Sequence, residues 1–341
     1  MLPLCKTGLG PNQLSGDIEM FKKKLLAGSV GMALSLAFAL PVVADTILFD
    51  FDQDGVYEQV DSVDWAPGNA LAVGAVPLTA GDTFTTYIQA EMTSVTGPVI
   101  GGVSTPIGAS GPYEYTYVIE LQETIAAAID LDGDTIPDTV SFNHTGGTVH
   151  VYYDDLSGGT INADGLTSNA GTGYDDGIEI LTADIIPTLL GASFSLTNGS
   201  AQNTIQALDQ YNTDNLPGIE TVTGSGNATV DANVTFYDTN FFQGVSLDTI
   251  IKFLLNATLE DPFDSNNPEL LVGGVTPNYG ANDINGLYGG AGTEDFQFEA
   301  DANSSFKVRP GVPEPASIAL LGAGLSLMGF GQVKRRRKQQ A

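Results

Sequence analysis

The sequence has very little cysteine, histidine or tryptophan, and this scarcity excludes several kinds of chemistry. It contains 1 Cys, 2 His and 1 Trp among 341 residues. Because the one cysteine is Cys5, the rest of the chain can form neither disulfides nor thiolate metal sites. The sequence has no H-E-x-x-H zinc motif, no G-x-S-x-G nucleophile motif in its body and no phosphate-binding glycine loop with a lysine. We therefore expect a protein that is not an enzyme. A carboxylate pair of the glycosidase type would not be recognisable among so many acids.

Basic residues are equally scarce in the long central part of the chain. Of the 12 Lys and Arg residues, only Lys252, Lys307 and Arg309 lie within residues 45–311. The same span holds 38 of the 41 Asp and Glu residues, which gives it a net charge of −35. Such a body repels nucleic acid and anionic lipid and attracts cations, Ca²⁺ above all. The alternative is that the acids only keep the protein soluble and apart from its copies.

The first 44 residues have the pattern of an upstream extension followed by a secretory signal peptide. After Met20, residues 21–24 form an n-region with three lysines, residues 25–40 form an apolar region, and small residues occupy positions 42–44. We expect signal peptidase to cut after Ala44, with an uncut membrane anchor as the alternative. The acidic body then covers residues 45–311, as one domain or as two domains divided near Pro217.

Short runs with period-two alternation predict an all-β body, a β-sandwich of the jelly-roll or immunoglobulin-like type. The alternation is clearest in residues 113–121, where Tyr113, Tyr115 and Tyr117 share one face. The other predicted strands are residues 83–92, 139–143, 148–153, 177–181, 192–197, 228–237 and 305–308, with a hairpin turn at residues 144–147. Residues 246–259 differ, because apolar residues at helical spacing after Ser246 predict one short helix.

An acidic loop near the start of the body has the residue types that hold a calcium ion. Carboxylates at positions 1, 3 and 5 followed by glycine at position 6 can wrap a chain around one hard cation. The predicted ligands are Asp50, Asp52, Asp54, the backbone carbonyl of Tyr57 and Asp61. The closing residue is Asp where Glu is usual, and no helices flank the loop. A polar turn without metal is the alternative, since Asp and Gly favour turns.

A second acidic loop lies between two predicted strands. Its spacing, D-x-D-G-D-x-x-x-D, resembles the calcium loops of extracellular β proteins. The predicted ligands are Asp130, Asp132, Asp134, the backbone carbonyl of Ile136 and Asp138. Here too the alternative is a polar turn.

Aromatic side chains suggest a different class of function, that of a carbohydrate-binding module. The candidates for a sugar platform are Tyr113, Tyr115, Tyr152 and Tyr153. A tyrosine stripe on a β-sandwich can equally be part of the core, and we expect Trp65 to be a core anchor.

The last thirty residues combine three unrelated features in a fixed order. The first is the run Val312, Pro313, Glu314, Pro315 and Ala316, which its prolines make extended. The second is an apolar run of 17 residues, 317–333, about 25 Å long as a helix and thus at the short end of what crosses a bilayer. The third is the basic cluster Lys334, Arg335, Arg336, Arg337 and Lys338, which would stay on the cytoplasmic side.

This tail resembles the sorting signal of PEP-CTERM exported proteins. The resemblance implies that an exosortase in the inner membrane recognises the tail and cuts near Pro313-Glu314-Pro315. It also implies delivery to the cell surface or extracellular matrix of a Gram-negative bacterium that makes exopolysaccharide. A C-terminal membrane anchor that is never cut is the alternative. Residues 65–71, WAPGNAL, resemble openings of flocculation-associated PEP-CTERM proteins. From the acidic body and the sorting tail we expect a structural or adhesive role in biofilm or floc.

Overall fold

The computed structural model of the chain describes most of the acidic body. The described residues are 47–76, 78–97, 105–106, 113–131, 133, 137–155, 171–196, 205–206, 220–222, 224–258, 271–278, 283–284 and 294–308. They belong to the unit Asp45–Ala341, the larger of two compact units of the chain. The predicted signal peptide, the sorting motif, the apolar run and the basic cluster lie outside the described residues. Within those residues, no helix has the length and apolarity needed to cross a membrane.

The described secondary structure consists of β-strands. They are β1 Ile47–Phe49, β2 Glu58–Val60, β3 Ser62–Trp65, β4 Gly68–Val76, β5 Thr83–Thr96, β6 Thr105–Pro106, β7 Tyr113–Ile129, β8 Thr139–Asp155, β9 Ile178–Ile185, β10 Thr188–Leu196, β11 Ile205–Gln206, β12 Glu220–Val222, β13 Gly224–Tyr237, β14 Phe242–Gln243, β15 Thr249–Thr258, β16 Asp283–Ile284 and β17 Glu294–Val308. This confirms the all-β class that the alternating sequence predicts.

Eleven of these strands form one antiparallel sheet that closes on itself. Strands β9 and β10 together fill one position between β8 and β13, and β3 and β4 together fill one position between β17 and β5. The path then runs β13, β15, β17, β3 with β4, β5, β7, β8, β9 with β10, and returns to β13. The two other sheets have three strands each, in the orders β14-β1-β2 and β11-β12-β16.

The alternation of side chains along each strand divides the closed sheet into an apolar interior and a more polar exterior. In β7, Tyr115, Tyr117 and Ile119 are fully buried on one face. Trp65 is 3 % exposed, packs edge-on against Tyr117 at 4.7 Å and donates its Nε1–H to Ser304 Oγ. The structure therefore confirms the prediction that Trp65 is a core anchor.

The small sheet β14-β1-β2 covers one end of this interior. Phe49 of β1 stacks on Phe242 of β14 at 4.7 Å and meets Tyr115 edge-on at 5.4 Å. Both phenylalanines belong to the same buried cluster as the inner face of the large sheet. The loop that follows β1 is consequently fixed to the core at this end of the molecule.

The predicted sandwich is not confirmed, because hydrogen bonds join the strands of the large sheet into one continuous series. The predicted short helix is wrong. Most of residues 246–259 form strand β15, which pairs with β13 on one side and β17 on the other. Ile251, Phe253 and Leu255 point into the core, so the period-two pattern in this segment prevails over the helical one.

The predicted hairpin at residues 144–147 is also wrong. Strand β8 continues through it, with a register shift against β7 next to Gly146 and Gly147. Such a β-bulge accommodates an extra residue without ending the strand. As a result His144 is buried, 2 % exposed, and does not lie in a surface turn.

Candidate metal centre

The acidic loop after β1 begins inside the core and ends at the surface. Phe51 is 6 % exposed, and its carbonyl oxygen accepts the hydroxyl hydrogen of Tyr115. The Asp50 N–H donates to the Phe241 carbonyl at 3.0 Å. The Tyr57 hydroxyl lies 3.1 Å from the carbonyl oxygens of Thr239 and Asn240. Contacts to two distant parts of the chain therefore hold both ends of the loop.

Within this loop the carboxylates of Asp50, Asp52 and Asp54 converge. One ligand oxygen from each lies within 4.8 Å of the others. The turn that brings them together uses the left-handed backbone region at Gln53, φ 57°, and at Gly55, φ 86°. Only glycine adopts that region without steric cost, which explains the glycine at the sixth position of the loop.

Asp50 is the unusual member of the group, because it is buried and incompletely hydrogen-bonded. It is 4 % exposed, whereas Asp52 and Asp54 are exposed. Its Oδ2 accepts the Gly55 N–H at 3.1 Å, but its Oδ1 is buried and has no hydrogen-bond partner in the described part of the chain. Burial raises the pKa of Asp50, and the charges of Asp52 and Asp54 raise it further, against the lowering effect of the Gly55 N–H.

Glu58 at the start of β2 belongs to the same electrostatic neighbourhood, and sequence analysis did not include it. Burial raises the pKa of Glu58, and the charges of Asp52 and Asp54 add to this. Its Oε2 is buried without a hydrogen-bond partner among the described residues. Counted from Asp50, Glu58 occupies position nine, which is a ligand position in calcium loops. That count was the signal that could have found it.

Asp61, the predicted closing ligand, does not join the converging group. It is not among the carboxylates whose ligand oxygens lie within 4.8 Å of one another. Its N–H donates to the Thr96 carbonyl at 2.8 Å, which ties its backbone to the end of β5. The candidate set in the structure is therefore Asp50, Asp52 and Asp54, with Glu58 beside them.

The second acidic loop joins β7 to β8, as its position between two predicted strands requires. Asp130 Oδ1 accepts the Gly133 N–H at 2.6 Å, and Asp138 Oδ2 accepts the Leu131 N–H. Both carboxylates therefore stabilise the loop backbone. Asp132, Asp134 and Ile136, the other predicted ligands, lie outside the described residues.

The tyrosines proposed as a sugar platform lie mainly in or against the core. Tyr115 is fully buried, and Tyr113 and Tyr153 are partly buried against the same cluster. Tyr153 packs on Phe241 with ring centroids 4.9 Å apart. Tyr152 faces away from them and stacks with His150 at 6.3 Å. These four side chains do not form one exposed aromatic face.

The chemistry of the converging group suits a hard, oxygen-seeking cation. Calcium takes six to eight oxygen ligands, and carboxylates and backbone carbonyls are its usual donors. A bound cation would supply the missing partner of Asp50 Oδ1 and neutralise the repulsion among the three carboxylates. The residues present therefore fit calcium.

Comparison with known proteins identifies the tail and leaves the body without a match. Residues 311–338 match the model of the PEP-CTERM protein-sorting motif, which confirms the resemblance of the tail. No curated protein and no solved structure matches the chain. The motif implies export, processing by an exosortase and a surface or extracellular location. The chain thus carries a PEP-CTERM protein-sorting motif at residues 311–338, in addition to an acidic all-β body.

Proposed function

We propose that this protein has a structural or adhesive role in the extracellular matrix of a biofilm or floc, and that calcium bound after β1 stabilises its body. The sorting motif supports the destination. The observation that carries the calcium proposal is the buried, unpartnered Oδ1 of Asp50 beside two further carboxylates.

The calcium proposal follows from the electrostatics of the loop. Three carboxylates within 4.8 Å repel one another, and burial of Asp50 removes the water that would screen it. The two lysines among the described residues, Lys252 and Lys307, lie in β15 and β17, and Lys252 contacts Asp231 at 3.8 Å. A bound divalent cation would offset the repulsion among the three carboxylates, and its binding free energy would add to the free energy of unfolding.

The matrix proposal rests on the charge of the whole body as well as on the tail. With a net charge of −35, residues 45–311 share the sign of acidic exopolysaccharide, so direct contact is unfavourable. Divalent cations remove this obstacle by bridging carboxylates of the protein to carboxylates of the polysaccharide. In this proposal the sheet provides a rigid carrier, and signal peptidase and the exosortase deliver it through an inner-membrane intermediate in a Gram-negative host.

Cell aggregation in the native host tests this function. A strain lacking the gene is complemented with the wild type, with Asp52→Asn/Asp54→Asn, or with Asp82→Asn/Asp248→Asn as the charge-matched control. Asp82 and Asp248 are exposed and lie outside the loop. We expect calcium-dependent aggregation with the wild type and the control, and a clear loss with the loop variant.

Two results would count against the proposal. Aggregation that is unchanged on deletion of the gene would contradict the matrix role. Equal aggregation with the loop variant and with the control would contradict a role of the specific calcium site and would attribute the effect to the net charge of the body.

A further inference from the structure

The end of the closed sheet opposite β1 contains a cavity. Its volume is about 80 Å³. Its walls come from β4, β5, β7, β8, β10, β13, β15 and β17, and they include Ala75, Phe84, Val140, Phe194 and Phe296. These side chains also belong to a second buried hydrophobic cluster, separate from the one around Tyr115. The interior is therefore packed around Tyr115 and hollow at this end.

One ionisable side chain, Glu123 of β7, lies in the described wall of this cavity. Glu123 is 5 % exposed. Its Oε2 accepts the Thr86 hydroxyl hydrogen at 2.5 Å. Its Oε1 lies 3.6 Å from Nε2 of His144, which is too far for a hydrogen bond. Burial raises the pKa of Glu123 to about 7, against the lowering effect of Thr86.

His144 of β8 is placed beside Glu123 by the backbone around it. A Cβ atom at Gly191 would lie 2.4 Å from Cε1 of His144, so only glycine leaves room for the ring. Both ring nitrogens are buried and have no hydrogen-bond partner in the described part of the chain. Burial lowers the pKa of His144 to about 4. Near neutral pH the carboxyl group of Glu123, which lines the cavity, titrates next to an uncharged imidazole.

We propose that this cavity is a binding site for a small neutral molecule with a short apolar body and one hydroxyl group. The apolar body contacts Phe84, Phe194 and Phe296, and the hydroxyl donates to Oε1 of Glu123. An engineered apolar cavity of about 150 Å³ holds benzene. Since this cavity has about 80 Å³, a body of about three carbon atoms fits it.

Other ligand classes fit the site less well. An anion would meet the carboxylate of Glu123 in a medium of low dielectric constant. A metal ion would find one carboxylate in walls that are otherwise largely apolar, where a zinc or calcium site needs several donors. A pure hydrocarbon would leave Oε1 of Glu123 without a hydrogen bond.

The test uses propan-1-ol and xenon as probes on the full chain with ¹³C-labelled alanine methyl groups. Ala72, Ala75 and Ala300 line the cavity, whereas Ala232 and Ala302 are buried elsewhere. We expect propan-1-ol to shift the first three methyl resonances saturably and to leave the other two unchanged. Shifts of equal size in both sets, or shifts that do not saturate, would overturn the proposal.

Variants separate the role of the carboxyl group from that of the cavity. In Glu123→Leu we expect the affinity for propan-1-ol to fall at least tenfold relative to that for xenon. The cavity-filling variant Ala72→Leu should weaken both probes. An unchanged ratio of the two affinities in Glu123→Leu would contradict a site that recognises the hydroxyl group.

Glu123→Gln provides a second measurement that keeps the size of the side chain. A carboxylate accepts a stronger hydrogen bond than a neutral group. The affinity of the wild type for propan-1-ol should therefore rise severalfold between about pH 5.5 and about pH 8.5 and stay flat in Glu123→Gln. Thr86 does not titrate in this range and His144 titrates below it, so Glu123 is the group that responds. A flat wild-type profile would contradict the proposal.

Discussion

At the residue scale, Asp50 determines how the loop after β1 responds to cations. Its side chain is buried beside two other carboxylates, and one of its oxygens has no hydrogen-bond partner in the described residues. Without a cation, ionised Asp50 destabilises the folded state, because its pKa is raised on folding. With a cation bound, the same carboxylate becomes a ligand. One side chain therefore has opposite effects in the two conditions.

We expect Asp50→Asn to reverse the order of stability between chelator and calcium. In chelator near neutral pH the variant should melt at a higher temperature than the wild type, because it removes a buried charge. In calcium at a hundredfold excess over Kd the wild type should gain about 2.7 kcal/mol, and the variant much less. Thermal melting with EDTA and with Ca²⁺ measures both. Asp82→Asn, at an exposed site, is the control and should follow the wild type. Superimposable wild-type melting curves in the two conditions would refute the calcium site.

A second residue-scale prediction concerns the pH dependence of stability at Glu123. Its pKa is 4.5 as the unperturbed value and about 7 in the folded protein. Below about pH 4.5 the group is protonated in both the folded and the unfolded state, so its ionisation does not lower the free energy of unfolding. As pH rises to about 7, the unfolded state ionises first and the folded state loses stability. At pH 8 nearly the full cost, roughly 3 kcal/mol, is present.

Glu123→Gln should therefore be more stable than the wild type at pH 8 by up to that amount, and similar to it at pH 4.5. His144 opposes this trend in both proteins, because its lowered pKa of about 4 removes stability as pH falls from 6.5. The difference between the two proteins isolates the Glu123 contribution. Urea unfolding at both pH values measures it. Glu120→Gln, on the opposite face of β7, is the matched control for the loss of one carboxylate from the same strand.

At the element scale, strand β15 shows how one segment can satisfy two periodic patterns. Residues 250, 251, 254 and 255 are all apolar, which favours a helix, yet residues 251, 253 and 255 are also apolar, which favours a strand. The segment forms a strand because the neighbouring strands β13 and β17 supply hydrogen-bond partners along both of its edges. Sequence alone cannot include that contribution.

The strand and the helix make different predictions for Leu254. In the structure Phe253 is 1 % exposed and Leu254 is 49 % exposed. We expect Phe253→Ala to lower the free energy of unfolding by about 3–5 kcal/mol and Leu254→Ala to change it by about 0.5 kcal/mol or less. Chemical denaturation of both variants measures this. A large loss of stability with Leu254→Ala and a small one with Phe253→Ala would contradict the strand and favour a helix in this segment.

Several elements were predictable because their alternation is unambiguous. Residues 83–92, 113–121 and 228–237 lie within β5, β7 and β13. The observed strands extend further, since edge residues gain hydrogen bonds from neighbours that a local pattern does not reveal. The closed topology and the bulge that keeps β8 continuous likewise depend on pairing across the sheet.

The candidate sites show the same division between local and distant information. Asp50, Asp52, Asp54 and Gly55 were predictable because a single loop contains them. The position of Glu123 was also accessible, since it lies on the face of β7 that Tyr115 and Tyr117 define. Its partner His144 was not, because its burial depends on the bulge in β8 and on Gly191.

At the scale of the whole molecule, the two ends of the closed sheet differ in chemistry. The end covered by β1 and β14 carries the acidic loop, and the opposite end contains the apolar cavity with Glu123. The sorting motif at residues 311–338 directs this body out of the cell. In the proposed function, calcium then both stabilises the body and connects its acidic surface to the matrix.

The measurement that tests this account most directly is the intact mass of the protein in the matrix fraction of its host, before and after calcium chelation. We predict a species that begins near Asp45, ends near Pro315 and is released from the matrix into the medium by the chelator. A strain without the exosortase should lack this species. A full-length chain that stays in the membrane fraction, or a processed species that the chelator does not release, would contradict the account.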